Sequence, residues 1–338
     1  MPKLNTIGNL GEVKLIKLID EIIFQKQGTH LLKDDAFFFK INKNSDVETI
    51  VLNTDMFVAS TDAPTQMNYF QMGYKSIVMN VSDLLVKGVN PTAVLISLGL
   101  PANLLITEYK SLIMGIVDCC NRYEIEYLGG DLNVAKEVII SPTVFGFKVS
   151  NKIIHRYGMN IGDLVIITDK FGLTGVGFEI LLNRKSQIDE FAAFTKAIKS
   201  VLEPSVTGDV AFLLSDADLA TASIDSSDGL AKSLKDLMLA NPNRGFEINF
   251  DKNLIHEEAF QFSTKYNVPL EELIFSGGEE FIHIFTIRPE SYQEVSDLLK
   301  SSGNSFYHIG SVIKEEKIYI NKSKQKLELA FNGFEHFS

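Results

Sequence analysis

From residue 10 to residue 149 helical and strand patterns alternate, and the alternation starts again at Leu164-Val165-Ile166-Ile167-Thr168. A chain that keeps switching its apolar period from about 3.6 to about 2 must build sheets faced by helices. The first pass runs through a helix at 10–27, with Leu15, Ile16, Leu18, Ile19, Ile22 and Ile23 on one side. A strand at 48–58 then passes into a loop, and a long helix spans 69–87, stopped by Gly88 and Pro91. A strand at 93–100, a helix at 107–123 capped by Thr107, and a strand at 137–149 complete it. The second pass has helices near 208–217, 229–240 and 290–301, and strands near 246–250 and 281–287. The polar segment 150–162 is the expected junction. At 338 residues the chain is too long for one ordinary core. The expectation is an α/β (α+β) protein of two domains, 1–150 and 151–338.

Composition removes several classes of function. Net charge is −11, from 43 acidic and 32 basic residues, and no Lys/Arg cluster exists to track a phosphate backbone, so nucleic acid is not an expected partner. No apolar run approaches the ~20 residues that span a bilayer, so no membrane association is expected. The opening Met1-Pro2-Lys3-Leu4-Asn5 lacks the layout of a signal peptide, and the adjacent Cys119 and Cys120 are poorly placed to bridge each other. A cytoplasmic protein without a disulfide framework is expected.

The familiar phosphate and metal signatures are missing, including the P-loop, the protein-kinase set, H-E-x-x-H and Cys/His zinc spacing. Aspartates at the ends of apolar elements remain: Asp34, Asp35, Asp55, Asp83, Asp131, Asp225 and Asp228. Any one of them alone reads most simply as a turn former or helix cap. Two patterns go further. In Ala222-Ser223-Ile224-Asp225-Ser226-Ser227-Asp228-Gly229-Leu230 a buried strand runs into a helix start, so carboxylates, hydroxyls and free amides converge. In the helix 69–87, Ser76, Asn80, Asp83 and Lys87 form one polar stripe on an otherwise apolar cylinder. Such a helix is expected to be buried, and its stripe then needs partners. Gly129-Gly130-Asp131 and Ser276-Gly277-Gly278-Glu279-Glu280 place glycines before carboxylates, as a close ligand approach or an ordinary turn would. The sum suits a hard cation, magnesium before zinc.

In this order the motifs resemble the thiamine-monophosphate kinases of the aminoimidazole-ribonucleotide-synthetase superfamily. The likeness runs from Leu10-Gly11-Glu12 through Asp34-Asp35-Ala36, Asn53-Thr54-Asp55-Met56 and Asn80-Val81-Ser82-Asp83-Leu84 to Gly129-Gly130-Asp131. It continues through Arg156 and Gly162-Asp163, the Asp225–Leu230 segment, Gly277–Phe281 and the closing Gly333-Phe334-Glu335-His336-Phe337. Thr61-Asp62-Ala63-Pro64 and Met72-Gly73-Tyr74-Lys75 are similar to archaeal-type members.

The resemblance implies a homodimer whose N-terminal sheets pair, with ATP and Mg2+ in the cleft. It implies metal ligands Asp35, Thr54, Asp55, Asp83, Asp131, Asp225 and Asp228, and ATP contacts at Gly130, Arg156 and Ser227. It implies substrate contacts at Asp62, Glu279 or Glu280, and Phe334. There are four departures from the pattern: Lys33 for a glycine, Asp62 for a frequent histidine, Leu132-Asn133 for a threonine pair, and Ile282-His283 for Glu-Leu.

The implied reaction joins two anions, and an acceptor phosphate monoester with a second pKa near ~6 is already mostly ionised at neutral pH. No catalytic general base is therefore expected. Two alternatives stand beside this reading, an ATP-driven ring-closing ligase of the same superfamily and a dimeric scaffold that binds nucleotide without turnover.

Overall fold

The computed structural model describes residues 12–41, 48–331 and 333. Leu10-Gly11, Phe334 and the closing 335–338 lie outside them. The N-terminal sheet contains β1 (Phe37–Lys40), β2 (Glu48–Asn53), β3 (Phe57–Val58), β4 (Pro91–Leu100), β5 (Glu126–Val134) and β6 (Ile139–Val149). Its order is β1-β2-β6-β4-β5, with β3 also on β6. All pairs are antiparallel except β4 with β5, which are joined by a helical crossover.

The helices of this half are α1 (Glu12–Gln27), α2 (Ala59–Asp62), α3 (Tyr69–Leu85) and α4 (Ile106–Arg122). Asn68 and Gln71 close a reciprocal capping box at the start of α3, at 2.9 and 3.0 Å. α3 and α4 touch backbone to backbone. A Cβ on Gly73 would lie 2.2 Å from the Leu112 carbonyl oxygen, and one on Gly115 1.9 Å from that of Phe70. Only glycine permits that approach. α3 is then buried on nearly all sides, and its stripe residues Ser76, Asn80, Asp83 and Lys87 are buried with it.

The C-terminal half begins with β7 (Leu164–Ile167), α5 (Leu173–Phe178), a π-helical turn (Glu179–Asn183), α6 (Thr195–Leu202) and α7 (Asp209–Asp216). β8 (Ala220–Ile224), α8 (Leu230–Ala240), β9 (Gly245–Asn249), α9 (Glu257–Tyr266) and α10 (Leu270–Phe275) follow. β10 (Ile284–Ile287), α11 (Tyr292–Ser301), β11 (Tyr307–Ile313), β12 (Ile318–Lys322) and β13 (Gln325–Glu328) complete it. The strand order is β13-β12-β9-β11-β7-β10-β8, and only β12 and β9 run parallel. Every residue of β10 is buried, and Val165, Ile167, Phe246, Ile248 and Ile284 fill the core beneath this sheet. Leu202, Val206, Phe212 and Phe281 pack into the N-terminal core, so the halves share a wall rather than a tether.

Three local expectations are corrected. Thr107 lies inside α4, and Leu105 takes the cap position with its N–H bonded to Glu108 Oε2 at 3.0 Å. Gly129-Gly130 are not a turn but part of β5, where Gly130 is held by the Ile96 backbone, 1.8 Å from where its Cβ would sit. The helix expected to reach Lys87 ends at Leu85, and Lys87 follows in a turn stopped by Gly88 at φ +72°.

Candidate active site

The stripe on α3 finds its partners in segments from both halves. Asn80 holds the main chain of Asp55, accepting its N–H at 2.8 Å and donating to its carbonyl at 3.3 Å. Asp83 accepts from Asn53, and Ser82 donates to Asp225 Oδ2 at 2.6 Å. Lys87 is fully buried and pairs with Asp34 at 2.7 Å and Asp35 at 2.5 Å, while donating to the Ser223 carbonyl at 2.9 Å. Arg156 pairs with Asp35 from the other side, and its main-chain N–H donates to Asp34 at 2.9 Å. One helix face thereby fixes the ends of β2, β8 and the 34–35 segment around a common point.

At that point Asp35, Asp83 and Asp225 bring carboxylate oxygens within 4.8 Å of one another. Two like unit charges 4 Å apart cost about 4 kcal/mol at an effective dielectric of about 20. Burial, followed by the neighbouring Asp225 and Asp55 carboxylates, drives Asp83 well above the usual carboxylate range. Burial first and then Asp35 push Asp225 up to about 7, and burial also raises Asp55. Lys87 and Arg156 form ion pairs with Asp34 and Asp35, whereas among the described residues no cation pairs directly with Asp83 or Asp225. Burial would raise Asp34 as well, but the Lys87 ammonium, the His155 ring and the Arg156 N–H outweigh it and keep Asp34 below the usual range. A cluster of hard oxygens short of positive charge fits a hard divalent cation, and Asp35, Asp83 and Asp225 are the residues that would hold it.

Beside the cluster opens a cleft of about 600 Å³, lined by Asp55, Asp62, Ser227, Asp228 and Glu279 among others. Ser227 and Asp228 lie on the turn between β8 and α8, where Gly229 takes φ +92° and Ser233 Oγ donates to the Asp225 carbonyl at 3.1 Å. The far wall carries Lys75. Its buried ammonium donates to the Asp62 carbonyl at 2.7 Å and to Glu279 Oε2 at 2.5 Å.

Other expected site residues sit elsewhere. Thr54 turns its hydroxyl to the Pro142 carbonyl at 2.9 Å. Gly130 and Asp131 lie exposed on β5, with β4 and β6 between them and β2. Glu280 points away from Glu279: it is half-buried, accepts from Gly172 N–H at 2.6 Å, and is pushed up to about 8 by desolvation. Sequence reasoning missed Lys75, Asn53 and Ser82 as partners, and the cleft wall formed by the π-helical turn. A lysine on a helix apolar on most sides was the available signal for Lys75, which shares a face with Met79 and Asp83 at i, i+4 and i+8.

Residues 33–148 match the family model of the AIR synthase related protein, N-terminal domain. That stretch carries β1 to β6, so the N-terminal sheet, which forms one side of the carboxylate-lined cleft, is similar to the AIR-synthase-related domain. The thiamine-monophosphate kinase of Nitrosopumilus maritimus is 33% identical over 331 residues, covering 98% of this chain and all of the relative. That of Pyrococcus horikoshii is 29% identical, covering 94% of each. The chain belongs to the thiamine-monophosphate kinase family. Among solved structures, AaThiL complexed with AMPPCP and TMP superposes with a TM-score of 0.82 at 25% identity, over 99% of each chain. The Escherichia coli hydrogenase maturation protein HypE shares the fold at 16% identity and a TM-score of 0.68, over 93% of this chain and 97% of that one.

Proposed function

We propose that this protein is an ATP-dependent kinase that phosphorylates thiamine monophosphate to thiamine diphosphate by direct transfer. The observation that carries it is the cluster of Asp35, Asp83 and Asp225, short of positive charge, beside a cleft of about 600 Å³. Family membership and the likeness to a protein complexed with AMPPCP and TMP support the choice of substrates. Mg2+ bound by these carboxylates would neutralise triphosphate charge and polarise the transferred phosphoryl group.

The protein's own contribution is to hold and orient. Asn80 fixes Asp55, Ser82 fixes Asp225 and Asn53 fixes Asp83, so the oxygens stay converged before any ligand arrives. Lys87 and Arg156 prevent the Asp34–Asp35 pair from adding unbalanced charge. Ser227 and Asp228, at the start of α8, face the cleft where phosphate oxygens meet free helix amides. No side chain needs to take a proton, because the acceptor oxygen is already mostly ionised above a pH of about 6. Incubation with ATP, magnesium and thiamine monophosphate is expected to give ADP and thiamine diphosphate. Absence of that product, with ring closure of formylglycinamidine ribonucleotide instead, would identify the ligase alternative.

We further propose that a second copy of the chain covers β5 and forms a homodimer. No residue of β5 is buried, and Leu128, Leu132 and Val134 stand 49%, 60% and 74% exposed along an edge strand. An apolar edge of this kind is ordinarily covered. Light scattering on the eluted protein is expected to give twice the chain mass, and Leu132→Asp with Val134→Asp to give the monomer.

A further inference from the structure

Lys75 is a fully buried lysine that no phosphate or metal role explains. Its ammonium lies 5.9 Å from the ring centres of both Phe57 and Phe178, and it donates to the Asp62 carbonyl and to Glu279. The four groups come from β3, the end of α2, the end of α5 and the loop before β10. Asp62, Phe178 and Glu279 line the cleft.

Glu279 is held in an unusual way. It is a non-glycine residue at φ +59°, and its main-chain N–H bonds to the Ser227 carbonyl at 2.5 Å. Such a backbone persists only when its surroundings fix it. Its Oε2 accepts from Lys75 yet the side chain stays 19% exposed, whereas Lys75 has no exposure at all. The carboxylate therefore keeps a face toward the cleft while the lysine holds it from behind. A buried ion pair is a poor device for stability alone, and a better one for fixing a geometry.

We infer that Lys75 is a positioning residue for the acceptor, locking the Glu279 carboxylate and the Asp62 main chain into one wall against the acceptor's cationic heterocycle. The inference rests on thiamine monophosphate being the acceptor. Lys75 touches neither the carboxylate cluster nor the phosphate-facing turn, so its effect is expected to fall on one substrate.

The test compares Lys75→Met, Lys75→Arg, Glu279→Gln and the Met/Gln double variant in the full-length protein. Lys75→Met is expected to raise the KM for thiamine monophosphate about tenfold or more, with the KM for ATP changed by less than about twofold. Lys75→Arg, which keeps the charge, is expected to recover most of the loss. The double variant is expected to be no worse than the worse single one, as two members of one contact should be. Hydrogen exchange of the 276–283 segment is expected to quicken in Lys75→Met without any substrate present. An unchanged acceptor KM, equal rises for both substrates, additive losses, or unchanged exchange would each overturn the proposal. Should Lys75→Met fail to fold, Glu279→Gln breaks the pair from its exposed side and must reproduce the acceptor-selective rise. If the wild-type protein never phosphorylates thiamine monophosphate, the kinase reading fails by itself. The exchange comparison then decides alone whether Lys75 fixes the loop.

Discussion

The two ends of the cleft handle buried acid in opposite ways. At the far wall Glu279 has a cation of its own, Lys75, and Glu280, beside the neutral Gly172 N–H, is pushed by burial toward its uncharged form. The Asp34–Lys87 pair beneath the floor follows the same rule. At the floor itself Asp83 and Asp225 face each other and Asp35 with hydrogen-bond donors but, among the described residues, no paired cation of their own. Compensated acids serve architecture, and uncompensated acids hold a place for positive charge from outside. The same change, removal of one charge, should therefore have opposite consequences at the two kinds of site.

The largest effect is expected at Lys87. Lys87→Met leaves Asp34 buried without its ammonium, and removing one partner of a buried pair typically costs about 3–5 kcal/mol. Urea unfolding followed by circular dichroism measures it. A loss below about 1 kcal/mol would mean that Arg156 and the His155 ring, 3.5 Å from Asp34, suffice.

Removing charge at the floor should do the reverse. Asp225→Asn keeps the oxygen that accepts from Ser82, and Asp83→Asn keeps the one that accepts from Asn53. Both variants are expected to be at least as stable as the wild type without metal, because each relieves repulsion. Their kcat is expected to fall by a factor of about 100 or more, about 2.7 kcal/mol of transition-state stabilisation. Loss of fold, or retention of turnover, in either variant would remove the distinction between the two ends.

A smaller and more direct measure is the melting temperature as magnesium is added. A ligand that binds only the folded state stabilises it by about 2.7 kcal/mol at 100 times its Kd. The wild-type protein is expected to gain stability in this way, and Asp225→Asn to gain far less. Equal gains would place the cation elsewhere.

How much of this could be read from the chain depended on how local the cause was. The helix over 69–85 was legible because its apolar positions leave only one stripe uncovered, and the stripe's need for partners followed from burial. Asp225 was legible because a short apolar strand points it at a helix start. β5 was not, since Gly129-Gly130 suits a close ligand approach or a turn as well as a strand, and it is the closeness of the Ile96 backbone on the neighbouring strand that requires a glycine at 130. Lys75 was legible only as a lysine in need of a partner: that partner is 204 residues away, and nothing near either residue announces the other. The difference between Glu279 and Glu280 depends on one backbone inversion, at φ +59°, that adjacent identical side chains cannot signal.

Glu280 offers the smallest effect and the finest test of the comparison. Its partner is a neutral N–H rather than a cation, so burial raises its pKa from 4.5 to about 8. Between those values the folded protein holds a proton that the unfolded chain has released. Stability from this group is then complete below about pH 4.5 and is lost as pH rises toward 8, on the order of 1 kcal/mol per unit at most. Asp225, pushed up to about 7, adds a slope of the same sign, so the informative quantity is the wild type minus Glu280→Gln, measured in EDTA. Glutamine keeps an oxygen for the Gly172 N–H and cannot ionise. The variant is expected to match the wild type near pH 5 and to exceed its melting temperature at pH 8. Parallel curves across that range would mean that Glu280 is ionised in the folded state, and that the far wall carries an uncompensated charge after all.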